Sequence, residues 1–133
     1  MKEAKNQKEF DAIVAAGERV KVTSGSFDAR GNAEVWALGR AKVRASGSAK
    51  VRAFEDAEVR AFESSKVWAF DNTKVWVFDN ALVVAYGSAK ATAYNSAKVL
   101  AFGSSKVWAH GSADVRAFES AKVIRTSPEE NNP

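Results

Sequence analysis

A chain of 133 residues with a net charge of +4 suffices for one domain, and it holds no apolar run near the roughly 18 residues that a transmembrane helix needs. The absence of cysteine excludes disulfides and thiolate metal sites, and with no charged-then-apolar leader at its start the chain is expected in the cytoplasm. Abundant Ala and Val beside scarce Leu and Ile suit a narrow core, while two Pro and eight Gly argue against disorder or collagen.

Taken in chain order, residues 6–16 (NQKEFDAIVAA) put Phe10, Ile13 and Val14 on one helical face, with Ala16 as a further candidate, and Gly17 suits the end of the helix. Residues 1–30 are expected to form an N-terminal cap, the helix lying over a degenerate lead-in coil, ERVKVTSGSFDAR. From Gly31 to Thr126 the chain then parses without an insertion into twelve octads, from GNAEVWAL through GSAKVRAF and EDAEVRAF to ESAKVIRT. Octad position 5 is Val in eleven of them and Ala91 in the twelfth; position 7 is Ala except at Val77 and Arg125; position 3 is always Ala, Ser or Thr. Residues two apart share one face of an extended chain, so positions 3, 5 and 7 read as the buried side of a strand of about five or six residues. Positions 1 and 2, drawn from Gly, Asn, Asp, Glu and Ser, read as a corner.

A lone octad cannot bury its Ala-Val-Ala face, whereas stacked octads can, which predicts an all-β, parallel β-solenoid. Eight residues are too few to close a coil. Sixteen close one with two facing sheets over a thin Ala/Val interior. Twenty-four make a triangular prism whose wider interior would want larger residues, unless the position-8 aromatics turned inward. Sixteen is favoured, so the twelve octads would make six coils and a rod of about 29 Å; handedness is left open. Residues 127–133, beyond the array, read as a polar tail.

The Tyr86-Gly87-Ser88 step followed by AKATAY resembles, in outline, the repeats of bacterial ice-nucleation proteins. Ice-binding faces of that family use outward rows of Thr-x-Thr where this chain has Lys-x-Arg or Lys-x-Trp, so ice binding does not carry over. GSAKVRAF, GSAKATAY and GSADVRAF are more similar to uncharacterised octapeptide-repeat proteins of bacteria and their phages, with units of the form GSAxVxAY, over residues 31–126. That resemblance implies a β-solenoid and a phage or prophage origin, and no activity. A phage-borne docking face would suit the blocking of a host defence factor such as a nuclease.

No catalytic constellation is legible. The single histidine, His110, stands in the position-8 row filled mostly by Phe or Tyr and reads as a ladder residue rather than a base or ligand. No phosphate-loop motif occurs. A sixteen-residue coil would set Glu55 beside Asp71 and Glu63 beside Asp79, yet the glycine-and-aspartate pattern of calcium-binding β-rolls is missing, so these corner acids, with Glu119, are read as solvated. The expectation is a chain that is not an enzyme, with no cofactor, no metal, no membrane association and no small-molecule substrate.

The outward rows carry more. Position 4 is Lys in eight octads, position 6 holds all four tryptophans and four arginines, and position 8 is aromatic in eight. With sixteen residues per coil one face would show Lys42, Glu58, Lys74, Lys90, Lys106 and Lys122 beside Arg44, Arg60, Trp76 and Trp108; the other would mix Glu34, Leu82 and Asp114 with its lysines. Three readings compete. Aromatic ladders overlaid by Lys and Arg stems could serve structure or self-assembly alone. A rigid aromatic face could dock a protein, including a second copy in a homodimer. A basic aromatic face could bind nucleic acid, although the array carries only 14 Lys/Arg against 9 Asp/Glu and acids interrupt it at Glu58 and Asp114. The surface is basic, which excludes a mimic of double-stranded DNA. Protein docking is the favoured reading, through Trp36, Trp68, Trp76, Trp108, Arg44, Arg60, Lys74, Lys90 and Lys106.

Overall fold

A computed structural model describes residues 1–126. Its elements are β1 (Lys2–Glu3), α1 (Gln7–Ala15), β2 (Val20–Val22), β3 (Ser26–Ala29), β4 (Glu34–Ala37), β5 (Lys42–Ala45), β6 (Lys50–Ala53), β7 (Glu58–Ala61), β8 (Lys66–Ala69), β9 (Lys74–Val77), β10 (Leu82–Ala85), β11 (Lys90–Ala93), β12 (Lys98–Ala101), β13 (Lys106–His110), β14 (Asp114–Ala117) and β15 (Lys122–Thr126). β1 and the even-numbered strands form one eight-stranded sheet, and the odd-numbered strands from β3 form a seven-stranded one. Every pairing is parallel, and the partner of Lys50 is Lys66, the partner of Lys90 is Lys106: sixteen residues make one coil. The fold is the two-sheet parallel β-solenoid that the octads imply, with a short helix at the N-terminus.

Most strands hold four residues, octad positions 4 to 7, rather than the expected five or six. The reason lies in the corner. The position-3 amide donates back to the position-8 carbonyl, as Ala49 does to Ser46 and Ala57 to Phe54, which turns the chain before the ladder resumes. Position 3 stays buried all the same: Ala41, Ala49, Ala57 and Ser65 are each 0% exposed. Corner amides also bond from coil to coil, Ser48 to the Gly31 carbonyl and Asp56 to that of Gly39, so corner backbone, like strand backbone, is satisfied by the neighbouring coil.

The first residue of all twelve octads is left-handed, six of them Gly and the others Glu55, Glu63, Asp71, Asp79, Asn95 and Glu119 with φ near +60°. At Gly39 the close approach of the neighbouring coil demands glycine, because a Cβ there would lie 2.5 Å from the Thr23 carbonyl oxygen. The corner acids are exposed, as their reading as solvated expects, and they also accept backbone hydrogen bonds. Glu55 accepts the Gly39 amide (2.7 Å) and Asp71 the Glu55 amide (3.0 Å). Farther along the same edge Glu119 accepts from Gly103, and on the other edge Glu63 accepts from Gly47 and Asp79 from Glu63. Each carboxylate thus ties its coil to the preceding one.

Along the octads the interior is Ala and Val apart from the buried Ser65, Thr73 and Ser105 at position 3, with Val35, Val51, Val67, Val83 and Val99 in register along one sheet. At the N-terminal end Asn6 caps α1 by accepting the Glu9 amide, and the helix buries Phe10 and Ile13. Phe10 stacks on Phe27, which replaces the position-5 Val in the lead-in coil (centroids 5.5 Å apart). Val14 packs at the margin, while Ala16, the further candidate for that face, is exposed because the helix has already ended. β1, which pairs with β2 and has no sequence pattern to announce it, extends the even sheet beyond the lead-in coil. Glu3 accepts from the Lys5 ammonium and from the Thr23 hydroxyl, and these bonds hold its carboxyl below the usual carboxylate range. Toward Thr126 the interior opens: Val115, Ala121 and Val123 are only half-buried. The polar tail at 127–133 lies outside the described residues. Among the described residues no helix is long and apolar enough to cross a membrane.

Candidate functional site: a basic and aromatic sheet face

The position-8 aromatics stand at the corners, most of them half-buried and Tyr86 and Phe118 exposed, and stack between coils. One ladder runs Phe54–Phe70–Tyr86–Phe102–Phe118 with centroids 4.9–5.4 Å apart. The other runs Phe62–Phe78–Tyr94–His110 at 4.8–5.0 Å, the rings within 8° of parallel. His110 therefore occupies a ladder rung, its ring 4.8 Å from that of Tyr94. These rings seal the edges of a core too thin to do so with Ala and Val.

Position 6 differs between the sheets. On the even sheet Trp36, Arg52 and Trp68 follow one another in register, and the Arg52 guanidinium lies 5.9 Å and 5.1 Å from the two indoles. Arg52 was not singled out from the sequence, although Trp36–Arg52–Trp68 is a plain i, i+16, i+32 series once the coil length is known. On the odd sheet the row runs Arg44, Arg60, Trp76, Thr92, Trp108, Ile124, with the Arg60 guanidinium 4.8 Å from the Trp76 ring. The nine expected docking residues therefore split. Arg44, Arg60, Lys74, Trp76, Lys90, Lys106 and Trp108 share the odd sheet, whereas Trp36 and Trp68 lie on the opposite side of the solenoid.

Position 4 gives the odd face its charge. After Glu58, the partners in register are Lys74, Lys90, Lys106 and Lys122, four consecutive exposed lysines. At coil spacing their backbones are about 4.8 Å apart. Among the described residues, ion pairs join Lys2 to Glu18, Lys5 to Glu3, Arg19 to Glu34 and Arg30 to Asp28, all at the N-terminal end, and none involves this lysine row. Like charges directly opposite one another across a ladder are destabilising. The even sheet breaks its own lysine row with Glu34, Leu82 and Asp114.

Compared with known proteins, the chain matches no family model, no curated protein and no solved structure.

Proposed function

We propose that the chain is a non-enzymatic binding protein that docks an acidic protein partner on the outer face of the odd sheet. The observation that carries this reading is the uninterrupted lysine row, Lys74 to Lys122, running beside Trp76 and Trp108. A row of uncompensated like charges is a standing electrostatic penalty that an anionic partner relieves. Indole and guanidinium groups beside it supply the contact types that dominate protein interfaces. The face is rigid, because β5 to β13 of the odd sheet are each hydrogen-bonded on both sides, so little ordering entropy opposes docking. In the phage setting suggested by the octad resemblance, such a face would act as an inhibitor that covers a host factor.

Affinity capture from lysate of the source or its host, with and without nuclease and at ~50 and ~200 mM salt, tests the proposal. A protein retained by the wild type after nuclease treatment and lost from Trp76→Ala and Trp108→Ala chains that remain folded supports it. Recovery of nucleic acid alone would contradict it, because four lysine–phosphate contacts would then weaken by roughly a hundredfold over that salt range. Recovery of nothing but the chain itself would replace it with a self-assembling structural module.

A further inference from the structure

The two sheets treat the same interval in opposite ways. Between Trp36 and Trp68, two coils apart, the even sheet inserts the planar guanidinium of Arg52 against both indoles. Between Trp76 and Trp108, also two coils apart, the odd sheet offers only Thr92, which pairs in register with both. Threonine is too short to fill the interval. What remains is an open groove of about 310 Å³ lined by Trp76, Thr92, Trp108, Lys74, Lys90 and His110. A cavity of about 150 Å³ already holds benzene.

Its dimensions and charge narrow the occupant. Two coil steps are about 10 Å, so a ring entering level with Thr92 would lie about 5 Å from each indole, the separation at which the position-8 rings of this solenoid already stack, 4.8–5.4 Å. A cation such as Arg52 is disfavoured here, because Lys74 and Lys90 line the groove and Lys106 follows them in register, with no carboxylate between them. A ring flanked by negative charge fits both features.

We propose that the Trp76–Thr92–Trp108 slot is the anchor pocket for an aromatic side chain of an acidic partner segment. The ring completes the interrupted row between the two indoles, and carboxylates on either side of it in the partner sequence lie on Lys74, Lys90 and Lys106. This rests on the protein-docking reading and gives the partner its chemistry: an exposed Tyr, Phe or Trp within a run of Asp or Glu.

The test uses capped peptides as probes, Glu-Glu-Tyr-Glu-Glu and the same peptide with Leu for Tyr, together with a five-residue oligothymidylate. Binding is followed by the NMR signals of the four indole N–H groups, where Trp36 and Trp68 serve as controls on the opposite face. The tyrosine peptide is expected to shift Trp76 and Trp108 alone, and the leucine peptide to bind about tenfold more weakly, as loss of two ring contacts implies. Thr92→Phe, which fills the slot with a ring of the chain's own, is expected to weaken the tyrosine peptide by a similar factor. Thr92→Val, which keeps the opening, should bind like the wild type. If binding ignores both the leucine replacement and Thr92→Phe yet is lost on Lys74→Glu with Lys90→Glu, the slot is refuted and the basic docking face stands. Binding of neither peptide, or binding unaffected by the lysine reversals, overturns both. Tighter binding of the oligonucleotide than of the tyrosine peptide also overturns the proposal, in favour of a nucleobase.

Discussion

Replacing Val51 by Phe probes the narrow interior most severely. Val51 is fully buried on β6 and stacked in register between Val35 and Val67, themselves buried. The substitution adds about four carbon atoms to a layer whose neighbours above and below are held by continuous backbone ladders. Overpacking typically costs about 1–3 kcal/mol, and with no rearrangement open to the adjacent coils the upper end, about 3 kcal/mol, is expected. That is a large share of a total near 5–15 kcal/mol. With a urea dependence of about 1–3 kcal/mol per M, the unfolding midpoint followed by circular dichroism should fall by about 1–3 M. Because coils contact only their neighbours, the transition should also broaden as the two halves of the rod uncouple. Lys50→Gln, one residue away and exposed, should stay within about 0.5 kcal/mol of wild type. A Val51→Phe midpoint within about 0.3 M of wild type would mean that the interior has room for a ring. Phe27 is the instructive exception: a ring sits at the equivalent position in the lead-in coil, where the helix supplies Phe10 to pack on it.

The remaining expectations concern the corners and buried hydroxyls, each read as a change in melting temperature. Gly39→Ala combines a positive φ with a Cβ only 2.5 Å from the Thr23 oxygen and should cost at least about 2 kcal/mol. Gly111→Asn, at φ +64° with nothing nearer than 3.9 Å, should be close to neutral, as Asn95 already adopts that geometry in its own octad. Glu55→Ala removes the acceptor of the Gly39 amide while leaving a Cβ in the left-handed region, a loss of about 1 kcal/mol; Glu55→Gly relieves the backbone and should lose less. Ser105 is fully buried with its hydroxyl unpaired among the described residues, so Ser105→Ala should stabilise by about 1 kcal/mol. Ser65, whose hydroxyl donates to the Phe62 carbonyl, should gain nothing from the same change.

The solenoid was legible because its determinants are periodic and local. The Ala-x-Val-x-Ala alternation reports strand faces directly, and small interior residues select two sheets over a prism. The same arithmetic placed Glu55 next to Asp71 and assigned Lys74, Lys90 and Trp76 to one face. Features that depend on three-dimensional spacing were not legible. A carboxylate at position 1 looks like any polar corner residue until the coil beneath brings an amide within 2.7 Å. Arg52 reads as one more surface arginine until its neighbours in register are found to be Trp36 and Trp68. Thr92 carries no signal of its own, since its meaning lies in being short between two tryptophans. β1 escaped notice because two residues hold no period.

Docking on the odd face, and on no other, can be tested with the tryptophans as internal controls. Two lie on each sheet, so hydroxyl-radical footprinting of the captured complex, read as oxidation of each indole by mass spectrometry, compares the faces in one experiment. Docking on the odd sheet requires Trp76 and Trp108 to be protected while Trp36 and Trp68 oxidise as in the free chain. Protection of Trp36 and Trp68 instead, or equal oxidation of all four with partner bound, would contradict it.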